Sequence, residues 1–398
     1  MHRVAEALRQ AVQRGQWSEG ARLPTTRQLA EQFEVSLNTV QGALRELEMQ
    51  GLIERRARVG TFVRSRAGRG KPPRARRNGR QIAVLWSNLA RDPLQPKSDG
   101  WAQQIVYSAE EKFAQAGYHL TLVADRPARS GDALEPVERL RRFGGDLAGV
   151  FGFASPQLES LLEPLDDMGV PWLTVKPRRP QSVDNFISAD NFTGGRLVGR
   201  AFAAMQCRHV LLIGDRCNKQ SEMDKMHGLL QGYIEGGGSL RHVEYVHRDN
   251  ATEPVGYRYA CEHLDKHGVP DAVFTAGDYL AVGVMRACRE RGIAVPGQVA
   301  IVGSTGLMFG RYTHPALTTL AQPMDAMGEA LAETLMQMVE QGTTRASGRY
   351  IPCELVVRES CVLPVDLWRA LEREYGSTCP IRAETADETE IVELSEEG

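Results

Sequence analysis

Cysteine is sparse and unpatterned: seven residues, at 207, 217, 261, 288, 353, 361 and 379, with no Cys-x-x-Cys among them. An odd count at that spacing argues against a disulfide framework or a cysteine-built structural zinc site, and leaves reduced thiols. No run of 18 apolar residues occurs, so no membrane partner is expected. The start, Met1-His2-Arg3-Val4, enters an amphipathic pattern without a basic n-region and apolar core, so no secretory signal is expected and the address is cytoplasmic. Catalytic signatures are missing too. There is no Gly-x-x-x-x-Gly-Lys-Ser/Thr phosphate loop, no His-Glu-x-x-His and no Gly-x-Ser-x-Gly elbow; Gly303-Ser304-Thr305-Gly306 has the wrong spacing, and Gly194-Gly195-Arg196 lacks the order of a dinucleotide site. His263 and His267 lie four apart on an expected helix, a spacing that can hold a metal, but read as an exposed helix end. No enzyme, cofactor or metal is therefore expected. What remains is a chain of 398 residues with 42% apolar content, enough for two or three globular units.

Charge is unevenly spread. Residues 1–80 carry 17 Lys/Arg against 7 Asp/Glu, whereas the remainder carries 31 against 43. Between Glu54 and Asp92 there is no acid, while eleven basic residues run from Arg55 to Arg80. Such a cationic end is the footprint of a polyanion partner.

Apolar spacing within 1–63 is helical three times: Val4, Leu8 and Val12; Leu29, Ala30 and Phe33; Val40, Leu44 and Leu47. Thr25 and Gln28 have the spacing of a capping box, and Ser36 is placed to cap the third helix. Only Glu34-Val35 separates helices two and three, which is helix-turn-helix geometry. Residues 52–55 and 61–64 flank a turn with Gly60, a hairpin beside the third helix. The runs Leu23-Pro24-Thr25-Thr26-Arg27-Gln28-Leu29-Ala30, Val35-Ser36-Leu37-Asn38-Thr39-Val40, Ala43-Leu44-Arg45-Glu46-Leu47-Glu48 and Gly60-Thr61-Phe62-Val63 resemble the winged helix-turn-helix domain of GntR-type bacterial regulators. The resemblance implies that double-stranded DNA is met by Arg27, Ser36, Asn38, Thr39, Arg58 and Gly60. Leu37 and Gln41 stand where many members have Arg; Gln41 can still read an adenine edge with two hydrogen bonds.

Residues 65–80 combine Gly, Pro and Arg without apolar periodicity and read as a basic tether after a 1–64 DNA-binding domain. From Gln81 short apolar runs alternate with helical stretches, about five strands per half, twice over. That rhythm predicts an α/β class with two lobes of doubly wound parallel sheets, whose ligands bind beyond the carboxyl ends of strands, in a cleft between lobes. Ala189-Asp190-Asn191, Asp271 to Gly283, Val295 to Gly303, His314 to Leu320 and Val357-Arg358-Glu359-Ser360 resemble the periplasmic-binding-protein-like effector half of LacI/GalR regulators. A GntR-like reader joined to such a half is the arrangement of arabinose-type repressors. It implies a homodimer, a two-lobe domain over 81–363 (lobe one about 81–186 and 318–346, lobe two about 187–317 and 347–363) and a small-molecule effector.

The resemblance also marks departures. Lys225 stands where the family often places an effector-clamping Arg, Lys176 near where some members have Asp, and Thr305 where a ligand-binding Asp is usual; Trp101 lies where an aromatic often stacks on the ligand. These four are the expected effector residues, and the gained cation points to an acidic or phosphorylated sugar. Asp278 is expected to cap its own helix. Residues 364–398 are expected to form one short helix and then an acidic, disordered tail from 376 that could compete with DNA for the basic module. The expected function is a ligand-controlled DNA-binding repressor. The alternative is a two-lobe sugar-binding or enzymatic protein whose basic end binds no specific DNA.

Overall fold

The computed structural model describes residues 8, 17, 21–33, 35–49, 53–56, 60–63, 79–86, 100–124, 135–176, 184–214, 220–239, 241–246 and 251–384. Most of the expected first helix, Arg58, the tether over 64–78 and the tail beyond Glu384 lie outside them. The chain divides into two units, one of Met1–Leu89, Phe113–Ser188 and Leu331–Tyr350, the other of Ala90–Lys112, Ala189–Ala330 and Ile351–Gly398.

At the amino end, α1 (Thr26–Gln32) and α2 (Leu37–Met49) precede a hairpin of β1 (Ile53–Arg56) and β2 (Gly60–Val63). The capping box forms as the spacing predicts: the Gln28 N–H donates to Thr25 Oγ1 at 3.3 Å and the Thr25 N–H to Gln28 Oε1 at 2.8 Å. Such a cap stabilises a helix start by about 1 kcal/mol. Leu8, Leu23, Leu29, Val40, Leu44, Leu47, Ile53 and Val63 close one core. The hairpin gains a short third strand that periodicity does not reveal: the Leu23 N–H donates to Thr61 O and the Val63 N–H to Ala21 O, each at 2.8 Å. The wing is thereby tied to the segment that precedes α1.

The first unit is built on a six-stranded sheet. Its strands are β3 (Gln81–Trp86), β4 (His119–Ala124), β5 (Leu147–Phe153), β6 (Trp172–Val175), β7 (Phe186–Ala189) and β13 (Arg349–Ile351), in the order β13-β7-β6-β5-β3-β4. Helices α4 (Glu135–Arg141) and α5 (Pro156–Met168) connect them, as does α3 (Gly100–Gln115), most of whose residues belong to the second unit. Six of the seven β5 residues are buried, as a parallel strand covered on both faces requires.

The second unit repeats the winding. Its helices are α6 (Asn191–Ala204), α7 (Gln220–Glu235), α8 (Glu253–His267) and α9 (Asp278–Glu290), among strands β8 (His209–Ile213), β9 (His242–Val246), β10 (Ala272–Thr275), β11 (Ala300–Thr305) and β12 (Thr318–Ala321). Helix α10 (Met324–Gln341) follows β12 and passes into the first unit from Leu331 on, and β14 (Glu354–Val357), α11 (Val365–Tyr375) and β15 (Ile381–Ala383) follow in the second. The sheet order is β15-β14-β12-β11-β10-β8-β9, with β14 antiparallel to β12 and β15 parallel to β14. Helices α6 and α7 meet backbone to backbone. A Cβ at Gly199 would fall 2.0 Å from Leu229 O, and one at Gly232 would fall 2.0 Å from Arg196 O, so only glycine fits.

Three expectations about segments need correction. Residues 318–321, assigned to lobe one, pair with β11 in the seven-stranded sheet. Residues 349–351, assigned to lobe two, form an edge strand of the six-stranded one. An apolar run shows that a strand exists but not which sheet it joins. Of residues 376–384, read as disordered, Ile381–Ala383 form β15: Cys379 and Ile381 are buried, and Glu384 accepts from Arg358 Nε at 2.7 Å. The acid-rich composition of the tail masked this last strand.

Candidate nucleic-acid interface and effector site

Helix α2 presents the residues a groove reader needs. Ser36 caps it: the Thr39 N–H donates to Ser36 Oγ at 3.2 Å, and the two hydroxyl oxygens lie 2.9 Å apart. Ser36 and Gln41 are exposed, Thr39 is half-buried, and Leu37 is 50% exposed, while Val40, Ala43, Leu44 and Leu47 on the other face enter the core. Arg27 and Asn38 lie on α1 and α2, but their side chains fall outside what the structure describes, and Arg58 lies outside the described residues altogether. Gly60 opens β2 opposite Arg56. The structure thus gathers Ser36, Thr39 and Gln41 on one helix. Leu37 joins them, although charge-based reasoning had treated it only as a lost Arg.

The expected effector residues fall at the carboxyl ends of strands, with Trp101 on a neighbouring helix. In the first unit Lys176 directly follows β6 and its N–H donates to Ile187 O at 2.9 Å. Two aromatics that the sequence reading missed close the adjacent strands: Trp86 ends β3 and Phe153 ends β5, edge to face with centroids 5.2 Å apart. Both are half-buried and flank the point where the strand order reverses, the usual ligand position in such sheets. They close apolar runs, in which nothing in the sequence separates a strand tip from the core.

In the second unit Thr305 ends β11, and Trp101 is half-buried in the first turn of α3. A side chain at Gly100 would touch Leu307, two residues beyond Thr305, so this turn of α3 packs on the loop that follows β11. Ser108 Oγ and Gln104 Nε2 further along α3 donate to Asp325 at 2.7 and 3.0 Å. Backbone strain marks both threonine and lysine positions. Among the described residues three non-glycines have positive φ, and two of them are Lys176 (53°) and Thr305 (141°). The Thr305 value lies in a region that costs a side-chain-bearing residue about 1–3 kcal/mol and that concentrates at ligand sites.

Lys225 is placed differently from the expected clamp. It is 1% exposed, and its ammonium donates to Ala276 O at 3.0 Å and Ser304 Oγ at 3.1 Å and pairs with Glu222 Oε1 at 3.0 Å. An ammonium has three donors, so all are engaged within the protein. Lys225 ties α7 to the ends of β10 and β11 and has no N–H for an external anion. The other oxygen of that carboxylate, Glu222 Oε2, is buried with no hydrogen-bond partner. It offers an acceptor at the carboxyl end of the sheet.

Asp278 also departs from expectation. Rather than capping its own helix, it is fully buried, with Oδ1 accepting from Thr319 Oγ1 and Oδ2 from the Leu307 N–H, each at 2.7 Å. Burial raises its carboxyl above the ordinary range, against the pull of these donors. It fixes the loop after Thr305.

Residues 1–63 match the bacterial regulatory proteins of the gntR family, and residues 200–361 match the periplasmic binding protein-like domain. The arabinose metabolism transcriptional repressor of Geobacillus stearothermophilus is 26% identical over 357 residues, covering 87% of this chain and 93% of its own length. The HTH-type transcriptional repressor PurR of Klebsiella pneumoniae is 27% identical over 264 residues, 65% of this chain and 75% of its own. Among solved structures, a LacI family regulator from Enterococcus faecium with bound ribose superposes with a TM-score of 0.58 at 20% identity, covering 71% of this chain and 99% of its own. The lac repressor dimer bound to operator and an anti-inducer gives 0.58 at 18%, covering 71% and 94%. No helix among the described residues is long and apolar enough to cross a membrane. The chain therefore carries a GntR-type regulatory domain at residues 1–63 ahead of a periplasmic binding protein-like domain, and it shares its fold with solved LacI family regulators.

Proposed function

We propose that the protein is a homodimeric transcriptional repressor whose hold on its operator is set by a small polyhydroxylated effector. The observation that carries the DNA reading is the division of α2 into a core face and an exposed edge of Ser36, Leu37 and Gln41. On that edge Gln41 suits an adenine, and the exposed Leu37 suits a thymine methyl, so readout depends less on charge than an Arg-bearing helix would. Arg27, Asn38, Thr39, Arg58 and Gly60 complete the DNA contacts, and the basic tether adds phosphate attraction.

The effector engages the carboxyl ends of the strands. In the first unit Trp86 and Phe153 supply apolar faces for sugar C–H groups and Lys176 a polar group; in the second unit Trp101 supplies a stacking face and Thr305 and Glu222 polar groups. Because Lys225 is paired internally and Glu222 retains an acceptor, a hydroxyl-rich ligand fits better than the acidic or phosphorylated sugar inferred from lysines alone. The relatives are transcription regulators, which supports a non-enzymatic role.

Gel-shift titration of the full chain against captured genomic fragments, at two salt concentrations, tests the reading. A repressor gives sequence-selective binding with a steep salt slope and a shift on adding neutral sugars. Equal affinity for operator and random duplex supports instead a sugar-binding protein whose basic end reads no DNA sequence.

A further inference from the structure

At the amino-terminal ends of β8 and β9, opposite the strand ends assigned to the effector, four imidazoles and one carboxylate converge. The strand period places His242 and Glu244 on the same face of β9. His209 on β8 is the register partner of His242. The four-residue spacing on α8 brings His263 and His267 over that face. Ring centroids lie 4.6 Å apart for His242 and His267, 4.9 Å for His209 with His242 and with His263, and 5.2 Å for His263 and His267. The sequence alone shows only the helix pair, whose spacing reads as an exposed helix end. Two short strand segments supply the rest, and nothing in the local sequence shows that they lie beneath α8.

Three features distinguish this cluster from an ordinary buried histidine network. Donor atoms of His242, Glu244 and His267 all lie within 4.8 Å of one another. His242 Nε2 is buried with no hydrogen-bond partner, an arrangement that is costly unless something takes up its lone pair or proton. Glu244 is already oriented: His263 Nδ1 hydrogen-bonds its Oε2, and His263 Nε2 lies 2.9 Å from His209 Nε2, the carboxylate–histidine chain that commonly backs a metal ligand. The Glu244 and His267 side chains are 31% and 24% exposed, so an ion can enter from solvent. His267 also ends α8, where the helix dipole favours a cation.

We propose that His242, Glu244 and His267 bind one divalent first-row transition-metal ion, with His263 and His209 as positioning residues behind Glu244. Two imidazoles and a carboxylate suit zinc, copper or nickel rather than magnesium or calcium. Tetrahedral zinc with bonds of about 2.0–2.1 Å needs donors roughly 3.4 Å apart, within reach of small rotations of the two half-exposed side chains. Three protein ligands leave a position for water. The bound ion would fasten the edge strand β9 to α8.

The test uses tag-free full-length protein freed of metal by chelator and titrated calorimetrically with zinc chloride. One saturable equivalent is expected, with cobalt giving visible ligand-field bands. His267→Gln and Glu244→Gln should each weaken zinc about 100-fold or more, and His263→Gln about 10–100-fold. His314→Gln, at an exposed position elsewhere, should change nothing. No saturable zinc, copper or nickel binding by the unaltered protein overturns the proposal. So does undiminished zinc affinity in folded His267→Gln and Glu244→Gln. Neither outcome bears on the DNA or effector reading, because none of these residues is assigned there.

Discussion

Replacing Lys225 with Met separates an internal strut from an effector clamp. The side chain is 1% exposed and its partner Glu222 is 10% exposed, so the substitution deletes three internal interactions and leaves a carboxylate buried beside a thioether. Removing one member of a buried ion pair costs about 3–5 kcal/mol, because the remaining charge has neither water nor partner. For a unit of roughly 200 residues that corresponds to a fall in Tm of roughly 6–20 °C. Differential scanning calorimetry of the full chain reads it, following the transition of the second unit because two units need not melt together. The double variant Lys225→Met/Glu222→Gln removes the orphaned charge and should recover most of the loss. If Lys225→Met melts within about a degree of the parent and binds effector more weakly, the ammonium serves the ligand and the strut reasoning is wrong. The strut reasoning is equally wrong if the double variant is no more stable than the single one.

Gln41→Ala should weaken operator binding by about 1–3 kcal/mol and relax the preference at a single base pair, leaving affinity for random duplex unchanged; fluorescence anisotropy with an operator panel measures both. Truncation after Tyr375 removes β15 and the Glu384 partner of Arg358 and Arg311, and should lower Tm by several degrees, whereas truncation after Glu384 should leave it unchanged. If that shorter truncation tightens nonspecific DNA binding, the acidic end competes for the basic module; unchanged affinity removes the idea. Burial pushes the Cys207 and Cys288 thiols up to about 11 and Cys361 up to about 12, so at pH 8 all three stay protonated and shielded. Mass spectrometry after brief alkylation should find the half-exposed Cys261 modified well before them, and equal labelling in the native state would refute their burial.

Much of the architecture was legible because its signals are local. The Thr25–Gln28 box, the Ser36 cap and the alternation of apolar runs with helical stripes each depend on residues within a few positions, and each element forms close to where those signals place it. Partnership between distant segments was not legible. Thr318–Ala321 and Arg349–Ile351 are strands of four and three residues that could join either sheet, and register is decided by pairing across many residues. The site shows the same division. Thr305 is singled out by a motif, whereas Trp86 and Phe153 are not, because nothing in an apolar run shows which residue ends at a strand tip. Lys225 misled for the opposite reason: its type suggested a clamp, but its role is fixed by Ala276, Ser304 and Glu222, which only the folded chain brings to it.

The glycine contact between α6 and α7 has a mechanical consequence. Where helices mesh through side chains, rotamers can yield and one helix can creep past the other; here carbonyls rest against Cα atoms and nothing between them can give. The two helices must travel as a single slab. Lys225 fastens one side of that slab to the tips of β10 and β11, and on the other side Arg196 lies over the Tyr375 ring while Arg200 holds Glu374 at 2.9 Å. A push at the strand tips is therefore carried through a rigid slab toward α11, and the side-chain contacts at its two faces are the joints that can give.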